Sequence, residues 1–299
     1  MDWVQKHKRK SSGEIPAIVR FFSSDDLINW KVESDFYRNW AFECMDFVEL
    51  AVDGDENNKK WVLYDASYDY EFGTFDGITF TSESEHMIAE KGYAYAGQSF
   101  NNAPDGRVVY IGWIRDSYFP VLGMPFSQQM SIPNTLSLQT TPDGIKLFRW
   151  PIKEIESLYI KSWSYENIAI SEANKTLSKI DVELIDMSVE IDPKSTNMFT
   201  FNLRGMEFKY DITNKEVPTL DLNYFKKRKV YEATEVRGKI HLRIIVDRGS
   251  VELFVNKGED VYTCYAIPDP FNKSIKISGE GDAVITKMDV HSLKPSMKK

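Results

Sequence analysis

Tight turns between short β-rich runs are the feature that most constrains this chain. Four Asp-Gly pairs occur, Asp53-Gly54, Asp76-Gly77, Asp105-Gly106 and Asp143-Gly144, and all lie in the first half at spacings of 23, 29 and 38 residues. Asp-Gly is a preferred centre of a two-residue hairpin turn because both residues tolerate positive φ. The pattern predicts repeated hairpins, as in propeller blades, although the spacing is too irregular for a sequence repeat.

Runs rich in β-branched and aromatic residues dominate the chain, whereas long stretches of helical period are absent. The clearest strand candidates are Trp61–Asp65, Arg107–Ile114, Lys239–Asp247 and Ser250–Asn256. Ile180–Ile191 alternates apolar and acidic residues, as expected for a sheet with one wet face. Only two short segments, Ser82–Lys91 and Ile152–Leu158, are candidates for helices. The sequence predicts an all-β protein.

The second half has longer alternating strands and different turns, which indicates two domains. The predicted boundary is near Trp150–Leu158, so residues 1–150 form one domain and residues 151–299 form the other. The second domain is predicted to be a β-sandwich.

Charge, cysteine and histidine content exclude several classes of function. With 37 basic and 45 acidic residues the net charge is −8, which disfavours nucleic acid or an anionic membrane surface as partner. The cysteines Cys44 and Cys264 permit no disulfide framework, and the four histidines are scattered, so we expect neither a metal nor another cofactor. The N-terminus has basic residues but no apolar signal segment, so the chain as written is expected in the cytoplasm.

The sharpest candidate for chemistry is Glu43, within the apolar segment Ala41–Leu50. Glu43 lies between Phe42 and Cys44, and a carboxyl group with aromatic neighbours and little water holds its proton more tightly, which suits a general acid. The alternative is a strand-edge Glu that points into solvent. Asp46 and Glu49 add carboxylates, but in a strand Glu43 and Asp46 would face opposite sides.

Two further clusters combine aromatic and polar residues. Tyr64–Phe72 interleaves aromatics with Asp65, Asp69 and Glu71, which could stack on sugar rings and bind hydroxyls, or could form an exposed loop with aromatic anchors. Ile111–Pro133 begins as a strand and continues as a long irregular segment. It holds Trp113, Arg115 and Asp116 where the strand ends.

Several of these segments, in order along the chain, resemble glycoside hydrolase family 32, the invertases, levanases and inulinases. The segment AFECMDFVEL resembles the Glu-Cys motif of the family. Successive blade segments of the family are similar to SSDDLINWK, FGTFDGITF and the run from Tyr95 to Ile114. The passage into the C-terminal domain is similar to Met124–Ile155. LRIIVDRGSVELFVNKGE is similar to the C-terminal sandwich signature, so the resemblance covers roughly Ala17 to Leu293.

The resemblance implies a five-bladed β-propeller followed by a β-sandwich, and retaining hydrolysis of β-fructosidic bonds in a fructose-containing saccharide. Such hydrolysis uses two carboxylates, one as nucleophile and one as acid/base. Glu43 matches the acid/base. Cys44, Trp113 and Asp76 are assigned to substrate binding, with Cys44 adjacent to the acid and Trp113 lining the fructose pocket. The sequence does not distinguish sucrose, levan and inulin.

The sequence departs from the family at the nucleophile. Neither a WMNDPNG-like motif nor an Arg-Asp-Pro motif is present, and Arg115-Asp116 lacks the proline and follows Glu43 instead of preceding it. The resemblance implies that the chain begins inside the third blade, with about three blades present. An open arc of blades exposes apolar faces, so we expect a partner: the remaining blades on another polypeptide, or self-association. Three hypotheses follow: part of a β-fructosidase, a non-catalytic glycan-binding protein, or an inactive gene product.

Overall fold

The computed structural model describes residues 17–115, 125–214, 216–218, 230–232 and 238–296. Strands dominate this part of the chain, as predicted.

The described residues of the first half contain twelve strands, mostly short and connected by turns. They are β1 (Ile18–Ser23), β2 (Lys31–Tyr37), β3 (Asp46–Val52), β4 (Asp55–Tyr64), β5 (Asp69–Phe75), β6 (Phe80–Ser82), β7 (Met87–Ile88), β8 (Ala94–Phe100), β9 (Val109–Ile114), β10 (Gln129–Met130), β11 (Asn134–Thr141) and β12 (Gly144–Pro151).

The second half begins with a 3-10 helix at Lys153–Leu158, and its one α-helix in the described residues, α1, spans Ile170–Leu177. Its strands are β13 (Tyr159–Ala169), β14 (Ile185–Asp192), β15 (Met198–Leu203), β16 (Met206–Asp211), β17 (Glu216–Pro218), β18 (Val230–Glu232), β19 (Ile240–Val246), β20 (Ser250–Val255), β21 (Asp260–Tyr265), β22 (Ile275–Gly279) and β23 (Val284–Leu293).

The first twelve strands form an arc of propeller blades. Among the residues that the structure describes, β1 and β2 pair with each other alone. The other ten strands form one curled sheet in the order β10-β9-β11-β3-β4-β5-β6, with β7 on β5, β8 on β9 and β12 on β11. Strand β11 meets β3 through a single parallel bridge, Leu138 to Val52. Within the described residues, three groups therefore follow one another, β1–β2, β3–β7 and β8–β12, as the sequence predicts.

All four Asp-Gly pairs lie at connections between antiparallel neighbours, which confirms the predicted hairpins, but only Asp53-Gly54 is itself the two-residue turn. They join β3 to β4, β5 to β6, β8 to β9 and β11 to β12. Asp53 and Gly54 both have positive φ, 53° and 77°, as this turn chemistry requires.

The second half is a β-sandwich of two antiparallel sheets. In the described ranges of this half, one sheet has six strands in the order β13-β23-β14-β19-β20-β21, and the other has five in the order β18-β17-β16-β15-β22. Their facing sides bury a continuous apolar core, to which β14 contributes Ile185, Met187, Val189 and Ile191. The predicted alternation of Ile180–Ile191 therefore places its apolar residues inside.

The helix predictions are wrong in detail. Ser82–Lys91 is not helical because its backbone pairs with strand β5 and the turn before it: Glu83 N–H donates to Phe72, and Ala89 N–H donates to Tyr68, both at 2.9 Å. Ile152–Leu158 forms only the 3-10 helix. Helix α1 was not predicted, because its short length gives little periodicity. Its residues Ala173 and Leu177 are buried against the sandwich.

Each helix in the described part of the chain is too short or too polar to cross a membrane.

An apolar and hydrogen-bonded junction joins the two halves. Ile245, Phe254 and Val261 of the sandwich pack against residues on the propeller side that include Ile132 and Trp150. Backbone bonds continue this contact, because Lys91 N–H donates to Val261 at 2.9 Å and Tyr93 N–H to Thr263 at 2.6 Å.

Gly258 is required at the same junction. Its φ is +99°, and a Cβ atom there would lie 2.0 Å from the carbonyl oxygen of Arg149. A side chain at this position would therefore push the sandwich away from β12.

Candidate active site

Glu43 lies in the loop between β2 and β3, not in a strand, so the expected opposition of Glu43 and Asp46 across a strand does not arise. Its side chain is exposed, in contrast to the enclosed carboxyl group predicted from its aromatic neighbours. Cys44, which follows it, is exposed and has a left-handed backbone with φ 49°. The alternative, a Glu43 side chain that faces solvent, is therefore correct. Specific tertiary contacts nevertheless hold this residue in place.

Tertiary hydrogen bonds fix the backbone at Glu43 and at the residue that follows it. Ala66 N–H donates to the carbonyl of Glu43 at 2.8 Å. The side-chain amide of Gln98 donates to the carbonyl of Cys44 at 2.9 Å. The loop is thus held by the turn after β4 and by strand β8.

The carboxylate of Glu43 accepts a hydrogen bond from the phenol of Tyr95, with 2.7 Å between Tyr95 Oη and Glu43 Oε1. Burial, and then this bond to a carboxylate, raise the pKa of the Tyr95 hydroxyl, so the phenol remains a donor at neutral pH.

Trp113 and Arg115 complete the cluster around Tyr95. Tyr95 lies opposite Trp113 in the β8–β9 pair, with ring centroids 6.3 Å apart in an edge-to-face arrangement. The guanidinium of Arg115 lies over the Tyr95 ring, 4.6 Å from its centroid. The structure therefore brings together Glu43, Cys44 and Trp113, and adds Tyr95, Gln98 and Arg115.

Asp76 is placed differently from the other predicted site residues. It is exposed at the tip of the β5–β6 hairpin, and its carboxylate accepts hydrogen bonds from the N–H groups of Ile78 at 2.9 Å and Thr79 at 2.6 Å. In the described part of the structure the Asp76 carboxylate is bonded within its own turn, and no contact connects it to Glu43. Asp116 lies outside the described residues.

The Tyr64–Phe72 cluster is mainly structural. The side chains of Tyr64, Tyr68, Tyr70 and Phe72 are buried in the blade core, so the prediction that they stack on sugar rings is wrong. The expected exposed loop with aromatic anchors is also wrong, because this segment ends β4 and begins β5.

The acidic residues of that segment have defined partners. Glu71 accepts hydrogen bonds from Arg38 and from the Trp40 indole, both at 2.6 Å. Asp69 pairs with His86, whose ring stacks on Trp40 at 5.6 Å. Asp65 is buried, and burial raises its pKa to about 7.

The other predicted carboxylates near Glu43 have structural contacts. Asp46 accepts hydrogen bonds from the Tyr64 hydroxyl at 2.5 Å and from the Ser99 N–H at 2.6 Å. Glu49 is exposed and lies 3.7 Å from Lys59. Among the described residues, no three His, Cys, Asp or Glu side chains are grouped so as to hold a metal ion.

The arrangement supplies a solvent-accessible carboxyl group with a fixed backbone and a phenol donor. Such a group can give a proton to a leaving oxygen and take one from water. Tyr95 orients one carboxylate oxygen, so the other can face an incoming molecule.

Comparisons with known proteins identify the family of both halves of the chain. The profile of the Glycosyl hydrolases family 32 N-terminal domain matches residues 8–151, and that of the Glycosyl hydrolases family 32 C terminal matches residues 154–292. The Bacillus subtilis levanase is 27% identical over 98% of this chain and 49% of its own length. The extracellular exo-inulinase of Aspergillus ficuum is 25% identical over 92% of this chain and 60% of its own length.

Solved structures share the fold. The exo-inulinase of Aspergillus awamori superposes with a TM-score of 0.75 at 21% identity, over 93% of this chain and 62% of that one. The β-fructofuranosidase of Schwanniomyces occidentalis, solved with fructosyl-erythritol, gives 0.73 at 16% identity over 93% and 65%. The chain thus spans about half to two thirds of the length of these proteins. Its two matched domains together cover most of the sequence, and the chain belongs to glycoside hydrolase family 32.

Proposed function

We propose that the Glu43 site acts on β-fructosidic bonds of fructans or sucrose, with Glu43 as the acid/base. The observation that carries this proposal is the exposed Glu43 carboxylate held by Tyr95 beside Trp113. The similarity to a levanase and an exo-inulinase supports fructose-containing saccharides as the substrate class.

Each residue of the cluster has a distinct part in this reaction. Glu43 protonates the glycosidic oxygen as the bond breaks, and its carboxylate then takes a proton from the water that completes hydrolysis. The Tyr95 hydroxyl keeps the carboxylate oriented. The apolar ring of Trp113 offers a surface for a sugar ring, and Arg115 holds Tyr95 through its ring face.

A retaining mechanism also needs an attacking carboxylate on the opposite side of the sugar. The 299-residue sequence contains neither the WMNDPNG-like motif nor the Arg-Asp-Pro motif of the family. General acid/base catalysis alone contributes about 10²–10⁴-fold. We therefore propose that this polypeptide by itself binds fructose-containing saccharides but does not hydrolyse them at enzyme-like rates, and that full activity requires a nucleophile from a further polypeptide segment.

The alternative is a non-catalytic glycan-binding protein. In that function the Glu43 cluster binds a saccharide, and no nucleophile attacks from the opposite side of the sugar. The two functions differ in whether added blades carrying the two motifs produce hydrolysis.

The test measures binding and hydrolysis of levan, inulin and sucrose by the polypeptide alone and with such blades added. We expect binding by calorimetry, turnover below about 1 s⁻¹ for the polypeptide alone, and hydrolysis with the added blades that Glu43→Gln abolishes. Glu49→Gln is the matched control, because it changes an exposed carboxylate that pairs with Lys59 instead of Tyr95. Binding without hydrolysis in the combined sample would favour the glycan-binding function, and absence of binding would contradict both.

A further inference from the structure

Asp65 is a buried carboxyl group that the proposed chemistry does not use. It is 1% exposed and lies in the turn between β4 and β5, directly beside the loop that carries Glu43. Its carboxylate accepts hydrogen bonds from the N–H groups of Ser67 at 2.8 Å and Asp69 at 3.2 Å. The N–H of Phe42, the residue before Glu43, also acts on this carboxylate and lowers its pKa.

The neighbouring residue of the same turn holds the next peptide unit of the loop. Ala66 N–H donates to the Glu43 carbonyl at 2.8 Å, so the turn that Asp65 begins is bonded directly to the loop. Cys44 then adopts a left-handed backbone, which a residue with a Cβ atom does not favour. Tertiary bonds, not local preference, therefore maintain the conformation of this loop.

We propose that Asp65 is a positioning residue, whose carboxylate holds Phe42–Cys44 in the conformation that presents the Glu43 carboxyl group to Tyr95 and to substrate. That Glu43 meets a substrate rests on the proposed function. The contact of Asp65 with the loop does not.

The groups that surround Asp65 set the pH at which this contact is strong. Burial raises the pKa of Asp65 to about 7, and the negative charge of Asp69 adds to the increase. Asp69 pairs in turn with His86, and Tyr95 is the titratable group that faces Asp65 from β8. An ionised carboxylate accepts N–H bonds more strongly than a neutral one. The loop is thus held more firmly above pH 7 than below it.

The experiment follows backbone amide signals by NMR between pH 5 and pH 9. We expect the Phe42, Ser67 and Asp69 amides to share one titration with a midpoint of about 7. Asp65→Asn should remove this titration and raise the amide hydrogen exchange of residues 42–44 by about tenfold, corrected for intrinsic rates. Asp69→Asn is the matched control, since it removes a neighbouring charge without touching Phe42; it should keep the titration and lower its midpoint.

The proposal is overturned if the Phe42 amide of the unmodified protein shows no inflection in this range, or if Asp65→Asn leaves both titration and exchange unchanged. The first readout needs no variant, so a variant that fails to fold does not prevent the test. Neither readout uses turnover. Failure of the proposed function would appear separately, as absence of fructan binding.

Discussion

The guanidinium of Arg149 and the carboxylate of Glu90 form an ion pair in the junction between propeller arc and sandwich, with side chains 1% and 2% exposed. Glu90 also accepts hydrogen bonds from the backbone N–H and the hydroxyl of Thr263 in the sandwich, at 3.0 and 3.1 Å. Arg149 donates to the Tyr110 hydroxyl and lies over the Tyr68 ring, 4.9 Å from its centroid. One buried pair therefore connects the sandwich to the turn that holds Asp65 and the Glu43 loop.

Removal of one member of this pair should be strongly destabilising. Glu90→Gln or Arg149→Met leaves the other charge buried without its partner, which typically costs about 3–5 kcal/mol. The double variant should cost less than the sum of the two. Denaturant unfolding of the four proteins measures this coupling.

The Arg107–Glu154 pair is the matched control. It also joins the first half to the linker region, at 2.7 Å, but its side chains are 25% and 50% exposed. Because solvent screens such a pair, Glu154→Gln should change the free energy of unfolding by about 1 kcal/mol or less. If the variants of the buried and the exposed pair lost equal free energy of unfolding, the buried pair would not be the stronger contribution to stability.

Glu252 should make stability fall as pH rises. Burial raises its pKa to about 8, although one oxygen accepts the Ile132 N–H at 2.6 Å. Between its ordinary value of 4.5 and about 8, the unfolded chain has released this proton while the folded protein retains it. The free energy of unfolding therefore loses about 1.4 kcal/mol per pH unit from this group in that window.

The measurement is the difference between the original protein and Glu252→Gln in unfolding free energy at several pH values. Taking the difference cancels the contributions of other groups. We expect the variant to become relatively more stable from pH 5 to pH 8, with the change complete above pH 8. A difference that does not vary with pH would show that Glu252 is ionised in the folded protein.

Hairpins were predictable from sequence because Asp-Gly turns and alternating strands are local signals. The position of Tyr95 was not. The strand pair nearest the β8–β9 turn is Phe100 with Val109. If that register continued without a break, Trp113 would lie opposite Ala96. A bulge between Tyr95 and Gln98, with Ala96 at φ 50°, shifts the register by one residue and brings Tyr95 opposite Trp113.

The exposure of Glu43 was also beyond local reasoning. Its aromatic neighbour Phe42 is itself 53% exposed, so an apolar sequence segment does not surround the carboxyl group with apolar atoms here. The contacts that fix Glu43 come from Ala66, Tyr95 and Gln98, which are distant in sequence. The resemblance to the family, and not the local surroundings in the sequence, indicated Glu43 as the candidate acid, and this assignment stays a prediction.

The fragment Trp150–Lys299 should fold on its own. Its two sheets supply a core that contains no residue from the first half. It should unfold cooperatively, but with lower stability than in the full chain, because Ile245, Phe254 and Val261 lose part of their cover. Circular dichroism with thermal unfolding measures both properties.

A second measurement separates folding of the fragment from loss of the junction. Without Ile132 and the buried surroundings of the junction, Glu252 becomes accessible to water. The fragment should therefore lose the pH dependence assigned to Glu252 in the full protein. A non-cooperative transition of the fragment would contradict the domain boundary near Trp150.

The outward face of the β1–β2 hairpin should promote association. Its cross-strand pairs Ile18–Tyr37 and Phe22–Val32 lie on either side of the Arg20–Asp35 ion pair, and their four apolar side chains are 41–51% exposed. The inward face is already covered, since Val19 and Phe36 are buried against the next blade. Burying a large apolar side chain contributes roughly 1.5–3 kcal/mol, so covering this face would favour self-association or binding of further blades.

Light scattering over a concentration series tests this expectation, with the combined variant Phe22→Ser and Val32→Thr. The variant should shift association to higher concentration, because it makes the face polar without touching the covered side. Phe271→Ser is the control: Phe271 is 93% exposed in a sandwich loop, so its replacement removes exposed apolar surface elsewhere. If the original protein remains monomeric over the whole concentration series and does not bind added blades, the hairpin face is not an association surface. If Phe271→Ser has the same effect as the hairpin variant, association reflects general surface hydrophobicity instead of this face.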